Sequence, residues 1–195
     1  TDTASHVGIG THLNGLKGNI SGTLRVSAAN ATNGNITVSA TGSGATAVIG
    51  NAGYGSAVSG NVSVLAGNAL LIVGNRQLSQ SIGVAAGSLA QIGNTVANFS
   101  GDPTVSGTAS GDVMVTAGSI DGIEGSILND IVGGNITIGV TKASTSALID
   151  DDISYSSANG LTVLIAGNVT VTGDIQNAGT GNVTLVAGWN PSVAA

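Results

Sequence analysis

Few side chains in this sequence could do chemistry. Asp150-Asp151-Asp152 is its densest acidic cluster. Adjacent carboxylates are hard oxygen ligands of the kind Ca²⁺ takes, and a pair of them can divide acid and base duties. Asp150, Asp151 and Asp152 read first as a solvated loop and second as a Ca²⁺ site of low affinity, the one metal this sequence suggests. Asp121 and Glu124 flank Gly122 in a second acidic turn, which reads as surface. His6 and His12 are the two histidines. A spacing of six suits neither one face of a strand nor successive helical turns, and no carboxylate partner for a nucleophilic triad stands beside them. Gly8, Gly10 and Gly15 lack the Lys-Ser/Thr ending and following helix that a phosphate loop needs. With no Cys there is no thiolate ligand or disulfide. Four cations, Lys17, Arg25, Arg76 and Lys142, stand against ten acids for a net charge of -6, which is too little positive charge for a nucleic-acid stripe. The expectation is a non-catalytic protein without a resident cofactor.

The elements that must position these residues are announced by one recurring phrase: Gly, then Asn or Asp, then an alternating strand. It reads Gly34-Asn35-Ile36-Thr37-Val38, Gly60-Asn61-Val62-Ser63-Val64, Gly111-Asp112-Val113-Met114-Val115, Gly134-Asn135-Ile136-Thr137-Ile138, Gly167-Asn168-Val169-Thr170-Val171 and Gly181-Asn182-Val183-Thr184-Leu185. Alternation of Val with Thr has the period of a half-buried strand. Gly and Asn before it suit a tight corner with left-handed backbone. A unit this short cannot bury its apolar face alone and must stack on the next.

A longer period lies above the phrase. Residues 34–68 align without gaps on 134–168, with about a third of the positions identical. A second landmark, an apolar residue followed by Gly, recurs at Val7-Gly8, Ile49-Gly50 and Ile92-Gly93, with Ile149-Asp150 as a degenerate copy. These periods divide a single domain, 1–195, into about four imperfect repeats near 5–33, 34–78, 79–133 and 134–190. The gaps between phrases are too short for crossover helices, so strands that follow one another must pair in parallel with the layer below. The predicted fold is all-β, a parallel β-helix. At about 20 residues per coil it has nine or ten coils, and with strands about 4.8 Å apart it is a rod about 45 Å long. A β-sandwich is the runner-up and leaves the 100-residue offset unexplained.

Composition fits such a stack. Gly is 32 of 195 residues, apolar residues are 42% and charged residues 7%, so Ser, Thr and Asn must carry solubility. Trp189, Tyr54, Tyr155 and Phe99 are the aromatics, which a thin core of aliphatic rows tolerates. No apolar run reaches membrane-spanning length, and the polar first residues carry no leader pattern.

The phrases Ala90-Gln91-Ile92-Gly93-Asn94, Gly111 to Gly118 and Gly181 to Asn190 resemble the repeat region of filamentous-haemagglutinin-like adhesins, large bacterial surface proteins exported by two-partner or autotransporter-type systems. The resemblance runs from about Ser5 to Asn190. It implies a right-handed β-helix, a secreted, cell-surface location, and a role in attachment or in matrix and filament assembly. Members are usually far longer and carry an amino-terminal secretion domain that is not recognised here, which implies a piece of a larger chain or a short relative assembling end to end. The expected partners are other copies of the chain, flanking segments, or glycans and proteins of a host or matrix surface.

Two other functions compete. One is a carbohydrate- or Ca²⁺-binding module, with Tyr54 and Tyr155 as a sugar-stacking surface. The other is a polysaccharide-active β-helix enzyme, which would need Asp150 to Asp152 grouped with Arg76 or Lys142. Eight Asn-x-Ser/Thr sequons, at Asn19, Asn30, Asn35, Asn61, Asn98, Asn135, Asn168 and Asn182, arise wherever a corner Asn precedes an alternating strand. Thr170-x-Thr172 has the spacing of an ice-binding face but is not sustained along the chain.

Overall fold

In the computed structural model, the described residues are 6–10, 19–41, 45–53, 57–73, 75–77, 81–83, 89–97, 107–120, 133–149 and 152–192. Among them every element is a strand and none is a helix. Every pairing is parallel, from His6–Ile9 on Thr46–Ile49 to Leu161–Ile165 on Val183–Ala187. The protein is therefore all-β with parallel strands, as its alternation and short gaps predict.

The strands fall into six separate sheets. The largest has seven strands. Along its main path lie Leu24–Ala28, Val62–Val73, Val113–Ile120, Ile136–Val140, Leu161–Ile165 and Val183–Ala187, with Ile36–Ser39 pairing on the far half of Val62–Val73. Four of the recurring phrases, those at Gly60, Gly111, Gly134 and Gly181, each open a strand of this main path. The phrase at Gly167 opens Val169–Val171, which belongs to a different, two-stranded sheet. The phrase thus marks a corner and does not specify which sheet follows.

Chain order visits the sheets in rotation. Thr46–Ile49, Ala52–Gly53, Ala57–Ser59 and Val62–Val73 join four different sheets in turn. Leu89–Ile92, Thr95–Ala97, Thr108–Ala109 and Val113–Ile120 join the same four in the same order. Later, Ile136–Val140, Ala147–Ile149 and Ile153–Tyr155 are matched by Leu161–Ile165, Val169–Val171 and Ile175–Asn177. The step between partners is not uniform. Ala147 pairs with Val169 and Ile153 with Ile175, whereas Val62 pairs with Val113 and Asn75 with Leu89. A uniform step of about 20 residues therefore fits the last third of the chain and fails in the middle, where Asn75–Gln77 and Ser81–Gly83 make an additional pass through two of the sheets before Leu89–Ile92 and Thr95–Ala97.

The apolar-Gly landmark is real but displaced by two residues at its first copy. Ile9, Ile49 and Ile92 align across adjacent strands, while Val7 faces Ala47. Ile149 pairs with Val171 in another sheet.

The core is made of aliphatic rows running across the rungs. Val62, Val113, Ile136 and Leu161 form one; Val64, Val115, Ile138 and Val163 the next; Ala66, Ala117, Val140 and Ile165 a third. All are buried. Full burial of each Val, Ile or Leu contributes about 1.5–3 kcal/mol. The rows close at the sheet edge, where Val183 and Leu185 stay 38% and 37% exposed although they are in register with buried Leu161 and Val163.

The corners differ from expectation in one respect. Positive φ occurs at glycine alone among the described residues, at Gly60 (114°) and Gly111 (116°) for example. A Cβ on Gly111 would overlap the Gly60 carbonyl, and one on Gly60 the Gly22 carbonyl, so close stacking of corners requires Gly. The asparagines act through their amides instead of a left-handed backbone.

Candidate binding groove

The outward face of the seven-stranded sheet carries a polar row: Arg25, Ser63, Met114, Thr137, Thr162 and Thr184, each directly opposite the next across neighbouring strands. Alternation dictates this, because each of these residues sits between two inward-facing aliphatics. Strand spacing sets successive side chains about 4.8 Å apart.

A second row lies at the corner before each strand: Asn61, Asp112, Asn135, Gly160 and Asn182. The first part is a hydrogen-bonded ladder. Asp112 N donates to Asn61 Oδ1 at 3.0 Å, and Asn135 N and Nδ2 donate to Asp112 Oδ1 at 2.9 and 3.1 Å. Gly160 N then donates to Asn135 Oδ1 at 2.8 Å. At Gly160 the ladder has no side chain to continue it, and the next corner residue of the row is Asn182, whose backbone O accepts from Leu161 N at 2.9 Å. A groove of about 800 Å³ lies along the two rows, with Ala158, Thr180 and Gly181 also on its wall. Its charged lining residues are Arg25 and Asp112, one of each sign. Most of the rest is hydroxyl and amide, with the exposed Met114 thioether, Ala158 and the buried Val62 and Val113 beside two glycines.

A buried counterpart stands at another corner. Asn94 Nδ2 donates to Gly60 O and Ser110 O, both at 2.7 Å, and Asn94 Oδ1 accepts from Asn51 N at 3.0 Å. Asn51 Nδ2 reaches Gly22 O at 3.1 Å. Gln91 Nε2 donates to Asn94 O at 3.1 Å. These amides are buried and tie consecutive rungs together.

Few of the residues singled out from sequence are among the described ones. Asp150 and Asp151 lie outside the described residues. Asp152 is exposed, and its Oδ1 accepts from Asp174 N at 2.8 Å, one rung further on. Among the described residues no three His, Asp or Glu side chains group as a metal site. Asp121, Glu124, His12, Gly15, Phe99, Tyr54 and Asn98 are also outside the described residues, as are the side chains of His6 and Arg76. The Lys142 ammonium donates to Asn68 Oδ1, whose Nδ2 donates to Asn35 Oδ1 at 2.8 Å.

Tyr155 overturns the idea of a stacking surface. It is 6% exposed and belongs to the core, with its hydroxyl lacking a hydrogen-bond partner. Inward register on Ile153–Tyr155 puts it there. Burial pushes its phenol above the usual value, which the neighbouring Leu161 backbone, short of hydrogen-bond geometry, offsets in part. Trp189 folds back over the sheet, its backbone N donating to Ile165 O at 2.9 Å. A Cβ on Gly139 would stand 3.2 and 3.3 Å from Cζ3 and Cη2 of its ring.

The groove residues were present in the sequence as the Asn or Asp of each phrase, where they read as turn formers only. The signal that they form one row was their constant place before the strand.

No protein family, no curated protein and no solved structure matches this chain.

Proposed function

We propose that this protein is a right-handed parallel β-helix module of the filamentous-haemagglutinin-like kind, extracellular and non-catalytic, serving attachment or filament assembly at a cell surface. The rotation of the chain through the same sheets in the same order supports a helical path. The sheets are then successive faces of one coiled path, four to a pass in the middle of the chain and three in its last part, with the seven-stranded sheet common to both.

The observation that carries the assembly part is the sheet edge Val183–Ala187. Among the described residues it pairs on one side only, with Leu161–Ile165, and its inward row is left partly exposed at Val183 and Leu185. Unpaired N–H and C=O groups beside an apolar row are a template for one more strand. The occupant is a second copy of the chain or a flanking segment of a longer one.

Electron microscopy of the purified 195-residue chain, dilute and concentrated, tests this. The expected images are rods about 45 Å long, on the strand spacing of about 4.8 Å, that join end to end as concentration rises. Compact particles with no long axis would sink the module reading.

A further inference from the structure

We infer that the groove over the seven-stranded sheet is a binding site for a linear, neutral, polyhydroxylated chain: an uncharged polysaccharide laid across the rungs. The inference rests on the reading of the protein as an adhesive module and names the ligand class of its surface.

Chemistry selects the ligand. Thr137, Thr162 and Thr184 stand in register on three consecutive rungs, and Asn182 flanks them at the corner. Hydroxyls and amides each donate and accept, so their best partners are groups that do both, as sugar hydroxyls do. An anionic chain would need cations along its length, and among the described residues the lining offers Arg25 alone against Asp112. An apolar ligand would find Met114, Ala158 and the threonine methyls, interrupted on every rung by a hydroxyl or an amide. A peptide strand would need a sheet edge, whereas the strands under Met114, Thr137 and Thr162 already spend their backbone groups on neighbours at both sides.

Geometry selects a linear chain. The repeat of like groups about every 4.8 Å matches a ligand that also repeats, and it lets contacts of small individual value add along the polymer. Gly160 makes the space. On neighbouring rungs its place is held by Asn135 and Asn182, so an Asn there would fill the notch and complete the ladder. A Cβ at Gly160 meets Asn182 O at 3.0 Å, a shift of a few tenths of an ångström for an exposed corner.

The test is calorimetric or NMR titration of the intact chain with cellohexaose, maltohexaose and a β-1,3-linked glucohexaose, with a heparin-derived hexasaccharide as the anionic comparison. At least one neutral hexasaccharide should bind. Thr162→Val, which keeps the side-chain shape, should weaken it about 5-fold. Gly160→Asn should abolish binding, and Thr170→Val, on a different sheet, should leave it unchanged. Thr162→Val covers the case in which Gly160→Asn disturbs the corner. Absence of binding by all three neutral probes, preference for the anionic one, or equal affinity in Thr162→Val would each overturn the inference. Rods in the micrographs without sugar binding would remove the groove alone. Compact particles that still bind sugar would remove the module reading and keep the groove.

Discussion

Single side chains in this protein matter most where a polar group has been taken out of water. Asn94 is the clearest case: one buried amide satisfies two carbonyls and one backbone N–H on other segments. Asn94→Ala strands those groups, and each unsatisfied buried group costs about 1–3 kcal/mol. The expected outcome is a loss of about 3 kcal/mol in denaturant unfolding, where a loss below about 1 kcal/mol would mean that water replaces the amide. Tyr155 behaves oppositely, since its buried hydroxyl has no partner. Its phenol is raised in the folded state, so the unfolded chain ionises first and binds fewer protons. Stability is therefore intact below the ordinary tyrosine range and falls as pH rises from about 10 toward the folded value. Tyr155→Phe should flatten the alkaline decline in melting temperature, and an unchanged slope would assign that decline to other groups. Neither role was legible beforehand. Asn94 looks like every other corner Asn, and Tyr155 sits beside Ser154 and Ser156 in a stretch that reads as polar loop. Only the neighbours across the stack distinguish a buried amide from an exposed one.

Elements are where the sequence spoke most clearly. Period-two alternation located Val113–Ile120 and Ile136–Val140, and both bury the predicted row. It also located Val183–Ala187, yet that strand is exposed along most of its length, since no rung among the described residues covers it on one side. Alternation reports which residues share a face, and burial depends on whether another strand arrives. The outward face has its own exception at Gly139, which leaves room for the Trp189 ring. Gly139→Val would force the indole off the sheet. Trp189 is the single tryptophan, so its fluorescence should shift to the red and gain quencher access. An unshifted spectrum would mean that the ring does not rest on that strand.

For the whole molecule, the proposed assembly turns on the edge that no described strand covers. Leu185→Lys places a charge in the exposed apolar row, a device that blunts edge strands. Joined rods should become discrete ones while the far-ultraviolet spectrum stays unchanged; persistent end-to-end joining would move the contact elsewhere. The amino-acid sequence by itself determined that this chain is all-β and parallel. The reason is local: alternation, corner glycines and gaps too short for a helix are properties of a dozen residues at a time. The tertiary structure decided what depends on stacking, namely which rung lies on which. The landmark at Ile9 rather than Val7, the uneven steps between partners and the break in the asparagine row at Gly160 all follow from that choice. Strands rich in Val, Gly and Thr are nearly alike in sequence, so their register is fixed by the apolar rows closing over one another and by the amides that bridge the corners.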